Sequence, residues 1–298
     1  MRDKIVLPIK PMTRERAHTA RPVPPEAFFI CSAIFHYLGP AFAVLLFARV
    51  DVLGVAWLRI ASAAMVFAFW KRPWRLVAEL RAGEKRIVVA LGFVLAIMNV
   101  CFYLAINRLP LGTVGTIEFL GPIALAALGV RTMRNLTALI LACSGVFQLT
   151  SVRISGEPIG YIFAFANCGL FVLYIVLGHR IAATGGRAGV ERLAMAMIIA
   201  SIVVTPIGLR SATGALLDPK ILLAGAGVGI CSSVIPYICD QFAMARLSKA
   251  TFALMLSLLP ATACLVGIVV LRQGPSLSEL AGVGAVIAGV ALKRSTND

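Results

Sequence analysis

Residues 105–129 read AINRLPLGTVGTIEFLGPIALAALG, and residues 243–267 read AMARLSKATFALMLSLLPATACLVG. Laid on one another without a gap, the two segments share seven of 25 positions: Ala105/Ala243, Arg108/Arg246, Leu109/Leu247, Thr113/Thr251, Leu120/Leu258, Pro122/Pro260 and Gly129/Gly267. Each segment opens on a basic turn and then runs apolar for about the length of one helix. Self-similarity at a fixed offset is the signature of a duplicated structural unit. The first copy also carries a carboxylate, Glu118, four residues before a proline.

The chain around these segments is 60% apolar and only 14% charged over 298 residues, against about a quarter charged in soluble domains. The charges cluster and leave apolar stretches of roughly twenty residues, the length a helix needs to cross a hydrocarbon core about 30 Å thick. Ten such spans are expected, at 27–47, 52–70, 87–107, 111–130, 134–150, 157–178, 190–209, 219–243, 250–271 and 277–292. The runs are continuous rather than alternating, which argues against a β-barrel.

The net charge of +15 is an orientation signal rather than a nucleic-acid footprint. With the N-terminus inside, the inner segments hold 21 of the 28 basic residues, the bias that marks cytoplasmic loops. Both termini are therefore expected in the cytoplasm, with an anionic-lipid contact as a further use of the charge. Residues 1–26 are basic and Pro-rich and read as a cytoplasmic tail without a cleavable signal. The seven cysteines all fall within predicted spans and form no C-x-x-C pair, so they read as small apolar packers. No metal-ligand spacing and no Walker A motif is present. No cofactor, metal or nucleic-acid partner is expected.

The register that lays Ala105 on Ala243 implies two units of five spans each: 27–153 and 154–298. An odd number of crossings sends the second copy into the membrane upside down, and Arg108 then falls outside while Arg246 falls inside, as the charge count requires. The expected fold is an all-α membrane protein of ten transmembrane helices in two inverted five-helix repeats. Inverted repeats are a recurrent plan of secondary transporters, whose substrates bind near the midplane.

Proline removes the amide that would bond the carbonyl four residues earlier. Pro122 frees the carbonyl of Glu118, Pro40 that of His36, Pro236 that of Ser232, and Pro260 that of Leu256; these prolines are read as helix kinks. A lone proline is more often a simple kink, but loose backbone at membrane depth survives where it is buried in protein or lines a wet cavity. Charges inside spans are costly and face the interior. Arg59 and Glu118 each lie about 10 Å from the outer membrane face at 1.5 Å per residue, so a salt bridge between them is the alternative to a substrate role. Asn99 and Tyr103, Asn167 and Tyr174, and Ser233, Tyr237 and Asp240 each share one helical face; His36 and Tyr37 belong to the first span. Any one of these is more often an interhelical hydrogen bond than a ligand contact. Together they describe a pocket with a carboxylate, amides and aromatic walls, suited to a small amine-bearing molecule.

The stretches MNVCFYLAINRLPLGTVGTIEFLGPIALAAL (98–128) and SSVIPYICDQFAMARLSKATFALMLSLLPATA (232–263) resemble the EamA branch of the drug/metabolite transporter (DMT) superfamily. The likeness is nearest to the threonine/homoserine exporters and to aromatic amino acid exporters, and EFLGP at 118–122 is its most specific block. The resemblance implies ten helices, inverted repeats, an inner-membrane location and amino-acid efflux. Glu118 matches that family's glutamate, and Asp240 stands where such exporters often carry an acid. Two positions depart. Leu259 precedes Pro260 where relatives often have Glu, and no Glu follows in the next turn, near Gln273.

The expected activity is export of amino acids by alternating access, with other small amine-bearing metabolites or drugs as the alternative. His36, Tyr37, Asn99, Tyr103, Glu118, Asn167, Tyr174, Ser233 and Tyr237 are the candidate substrate-binding residues. Glu118, Asp240 (near the inner mouth) and Arg59 are candidates for proton coupling or gating. Protons, the lipid bilayer and a second copy of the chain are the other candidate partners. From another class, an intramembrane enzyme would need a nucleophile and base within reach, and His36 with Ser232 or Ser233 is the pair to examine.

Overall fold

A computed structural model of the chain describes residues 23–109, 111–149, 157–259, 262 and 277–292. Pro260, Gln273, most of the expected 1–26 tail and much of the ninth predicted span lie outside the described residues, as do the side chains of Tyr37 and Pro40. The described chain is helical throughout, with no strand among the described residues. Its α-helices are α1 (Pro25–Leu46), α2 (Val52–Lys71), α3 (Ala82–Ile106), α4 (Leu111–Ala127), α5 (Met133–Leu149), α6 (Pro158–Ala182), α7 (Gly186–Ser211), α8 (Thr213–Leu216), α9 (Pro219–Gly229), α10 (Ile235–Met244), α11 (Lys249–Met255) and α12 (Leu277–Leu292). A π-helical turn, Ile230–Val234, joins α9 to α10.

Five helical stretches among the described residues are long and apolar enough to cross a membrane: Val52–Lys71, Ala82–Ile106, Pro158–Ala182, Gly186–Ser211 and Pro219–Met244. Shorter apolar helical stretches are Pro25–His36, Ile117–Ala127 and Leu280–Leu292. The outward faces carry large apolar side chains: Phe69, Leu128, Phe147 and Leu223 are all exposed. The polar and charged side chains Arg59, Asn99, Asn167, Asp240 and Gln241 are buried. Contiguous exposed apolar surface is rare on soluble monomers, and polar groups gathered inside an apolar shell are what a bundle immersed in lipid requires.

Helix ends are set by local chemistry. Asp51 accepts from the Leu53 amide at the start of α2. Glu84 accepts from the Arg81 amide at the start of α3, and Ser248 accepts from the Thr251 amide at the start of α11. Each satisfies an amide the helix leaves without a partner. Glu84 also accepts from Arg192 of α7 at 2.6 Å.

The turns leading into α4 and α11 carry the same bonds. Asn107 donates to Tyr103, Arg108 to Ala105 and Leu109 to Ala105, at 3.1, 3.0 and 2.8 Å. In the later turn Ala245 donates to Gln241, Arg246 to Ala243 and Leu247 to Ala243, at 3.1, 3.0 and 2.9 Å. Donors and acceptors correspond one to one, in the register that lays Arg108 on Arg246. In that register the bounds of α3 fall on 220–244, against Pro219–Met244 observed, and the first residue of α4 falls on Lys249, where α11 begins.

The interior is organised by pairwise packing. α3 lies against α6 and α7, while Pro219–Met244 lies against α1 and α2; α2 packs on α7, α4 on α11, and α5 on α12. Small residues permit the closest approaches. A Cβ on Gly145 would stand 2.6 Å from the Gly282 carbonyl oxygen, and one on Gly39 would stand 2.0 Å from Ser232 Oγ. The glycine run 225–229 packs on Leu58, Arg59 and Ser62 of α2, an internal contact.

Candidate functional site

The π-turn follows from the sequence around Pro236. Proline supplies no amide, and its ring crowds the carbonyl four residues back. A π-turn widens the backbone at that point, a form frequent at functional sites. The Ser232 carbonyl then needs a donor from elsewhere, because a buried unpaired carbonyl is costly. Arg59 provides it: Nη2 donates to the Ser232 carbonyl oxygen at 2.9 Å, and Nε donates to Ser233 Oγ at 2.9 Å. Arg59 is only 5% exposed.

This arrangement goes against the alternative of an Arg59–Glu118 salt bridge. No carboxylate lies within 4 Å of the Arg59 guanidinium among the described residues; the side chain reaches across to the π-turn instead. Glu118 Oε1 accepts from Asn167 Nδ2 at 2.9 Å, joining α4 to α6. Arg59 and Glu118 remain within Coulombic range of each other. The physical reason is that the freed carbonyl is a fixed, preoriented acceptor, whereas Glu118 is already held by an amide.

A second polar group ties three helices together. Asp240 accepts from Ser32 Oγ at 2.6 Å through Oδ1 and from the Tyr174 hydroxyl at 2.8 Å through Oδ2. Asp240, expected near the inner mouth, is buried between α1 and α6. Tyr174 also packs its ring on Tyr237, centroids 5.4 Å apart, and stacks on Phe171 at 5.9 Å.

The structure thus brings Glu118 and Asn167 together, and Tyr174 with Tyr237 and Asp240. Arg59 joins Ser233 and lies with its guanidinium carbon 5.7 Å from the Tyr103 ring centroid. Asn99 turns its amide onto the Leu95 carbonyl of its own helix at 2.7 Å, beside Tyr237. His36 is partly buried on α1, within Coulombic range of Arg59. The pair examined for an enzyme gains no support: Ser232 Oγ donates to the Val228 carbonyl and Ser233 Oγ accepts from Arg59, so both hydroxyls serve the helix packing. Among the described residues no group of three His, Cys, Asp or Glu side chains is placed to hold a metal.

Sequence reasoning missed Ser32, which stands one turn before His36 on the same face of α1 and was legible by that i, i+4 spacing. It also missed the buried His179, whose Nδ1 meets the Ile175 carbonyl at 2.8 Å, and the buried Gln241. Among the described residues, five buried polar atoms have no hydrogen-bond partner: the hydroxyls of Tyr103 and Tyr161, Asn167 Oδ1, His179 Nε2 and Gln241 Oε1.

Fold and site together define a multi-pass helical membrane protein with charged and amide side chains sequestered at its centre. Residues 158–294 match the EamA-like transporter family. Over 258 residues the chain is 31% identical to the threonine/homoserine exporter RhtA of Escherichia coli (strain K12), covering 84% of each protein. The same identity and coverage hold for the threonine/homoserine exporter RhtA of Salmonella typhimurium (strain SL1344). A solved crystal structure superposes with a TM-score of 0.68 at 19% identity, covering 90% of this chain and 96% of that one, a likeness of fold. The chain belongs to the EamA-like transporter family, within the drug/metabolite transporter superfamily.

Proposed function

We propose that this chain is an inner-membrane secondary transporter that exports amino acids, threonine/homoserine-like or aromatic and other neutral ones, by alternating access. The observation that carries the reading is the Glu118–Asn167 pair, the amide buried and the carboxyl partly so, set within Coulombic range of Arg59 in a chain 31% identical to threonine/homoserine exporters. A carboxylate with one amide partner retains acceptor capacity for an ammonium group. Tyr103, Tyr174, Tyr237, Asn99, Ser233, His36 and Tyr37 are the proposed remainder of the pocket, and Asp240 is proposed to gate it.

The proposed architecture is ten transmembrane helices in two inverted units, 27–153 and 154–298, with both termini cytoplasmic. Two observations support it. The turn bonds before α4 recur before α11 in the register of the sequence repeat. The packing also exchanges: α3 on α6 and α7 has its counterpart in Pro219–Met244 on α1 and α2. A two-unit arrangement related by rotation produces such reciprocal contacts, and rocking of one unit against the other is the movement such folds use.

The experiment is flux of labelled amino acids from liposomes holding the purified protein, across a panel that includes small amine-bearing drugs, with and without a pH gradient. Amino-acid flux above empty liposomes is expected, and stimulation by the gradient would show antiport. Glu118→Gln is expected to lose that flux; wild-type flux in the variant removes Glu118 from the mechanism.

A further inference from the structure

Arg59 uses Nε and Nη2 to hold the π-turn. Those contacts are to a hydroxyl and a carbonyl, so they satisfy hydrogen bonds without neutralising the charge. A buried guanidinium with no carboxylate beside it is expensive, and anions are the ligands its planar fork recognises. The Tyr103 ring lies against this guanidinium, and the Tyr103 hydroxyl, on a side chain with no exposed surface, has no hydrogen-bond partner. The hydroxyl stands close to Arg59 but is not aligned to accept a hydrogen bond from the guanidinium. One end of the polar cluster therefore offers a positive charge and an idle donor.

The other end is its complement. Glu118 is a carboxyl group that, among the described residues, takes a single hydrogen bond, from Asn167 Nδ2. Asn167 Oδ1 is buried and has no partner, although it sits on the side chain that grips Glu118. A carboxylate and an idle amide oxygen accept hydrogen bonds and cannot donate them. The two ends influence each other through space yet are not paired. Opposite charges held apart, each beside an idle group of matching polarity, fit a ligand that carries both signs and no net charge.

We propose that Arg59 and the Tyr103 hydroxyl bind the α-carboxylate of a zwitterionic substrate whose ammonium group sits on Glu118 and Asn167 Oδ1. This deepens the amino-acid reading and rests on it. An amine without a carboxylate satisfies only the Glu118 end and leaves Arg59 without its anion. Charged groups that lose a buried partner are discriminated strongly, because the site's own polar atoms are then left unpaired. Arg59 also fixes the π-turn, so a carboxylate bound there bears directly on the joint between α9 and α10.

The test uses the full chain in liposomes, with labelled threonine and labelled phenylalanine as probes. The competitors are 1-aminopropan-2-ol (threonine without its carboxylate) and N-acetylthreonine (threonine without its ammonium charge). Each is expected to compete at least tenfold more weakly than unlabelled threonine. Tyr103→Phe removes only a hydroxyl with no protein partner, so the variant is expected to fold and pack as the parent does. It is expected to weaken threonine's apparent affinity about tenfold, the scale of one hydrogen bond to a charged group, while competition by 1-aminopropan-2-ol stays unchanged. Competition by 1-aminopropan-2-ol equal to that of threonine, or wild-type affinity in Tyr103→Phe, overturns the carboxylate end and leaves the amino-acid reading standing. Absence of wild-type flux for both probes overturns that reading and this proposal with it.

Discussion

The bond from Arg59 to the Ser232 carbonyl exists because Pro236 withholds an amide, and this makes a double-mutant cycle the sharpest test of the π-turn. Arg59→Met keeps most of the side-chain volume and removes both contacts, 2.9 Å to Ser232 O and 2.9 Å to Ser233 Oγ. Neutral hydrogen bonds between membrane helices average only about 0.6 kcal/mol, because the unfolded helices find other partners in the bilayer. A charged donor raises the value to about 1.5–3 kcal/mol, and a buried carbonyl left without a donor costs about 1–3 kcal/mol. Removing the buried charge offsets part of this loss, so Arg59→Met alone should destabilise by less than the sum of those terms, and the test reads the coupling rather than the single value. In a Pro236→Ala background the new amide at 236 can reach the Ser232 carbonyl, so the orphaned acceptor disappears and the Arg59→Met penalty should shrink by about 1–2 kcal/mol. Equilibrium unfolding in mixed detergent micelles, for the parent, both single variants and the double variant, gives the coupling directly. Additivity within about 0.5 kcal/mol would show that Arg59 does not substitute for the missing amide, and the account of the π-turn would fail.

Ser32→Ala and Tyr174→Phe each delete one donor to Asp240 (2.6 and 2.8 Å). Each should cost about 0.5–2 kcal/mol in the same unfolding assay, with a double-variant loss that differs from the sum because the carboxylate is shared. Gly39→Ala places a methyl group 2.0 Å from Ser232 Oγ and 2.8 Å from its Cα, which is backbone. It should lower the unfolding midpoint by the equivalent of about 1–3 kcal/mol or more, whereas Gly83→Ala, with open space around it, should not destabilise.

Much of the helical layout is legible in the sequence because hydropathy reports directly on length and burial. The span expected at 52–70 is Val52–Lys71, and that at 219–243 is Pro219–Met244. Hydropathy starts the third span late, at 87 rather than Ala82, because Glu84, Lys85 and Arg86 read as loop. Those charges occupy the watery end of the helix, where Glu84 caps the Arg81 amide and pairs with Arg192. The π-turn is not legible, since hydropathy carries no information on helical pitch. The sequence does mark the Ser232 carbonyl as freed and Arg59 as a buried charge. That one answers the other depends on how α2 meets Pro219–Met244, a tertiary relation absent from local pattern. Ser32 escapes notice for a different reason: a hydroxyl in an apolar helix more often bonds its own backbone, so its i, i+4 spacing to His36 gains weight only once Asp240 is found beside it.

The approach of α5 and α12 has a practical consequence. Backbone meets backbone where Gly145 faces Gly282 and where Gly289 faces Ala138 and Ala142, so the two proposed units touch there with no long side chain between them. Their outer sides carry Ile140, Phe147, Leu280 and Ile287, all open to the surroundings. Fluorescent or spin probes attached in pairs at such outward positions, one on each helix, would register whether this seam acts as the pivot when one unit rocks on the other.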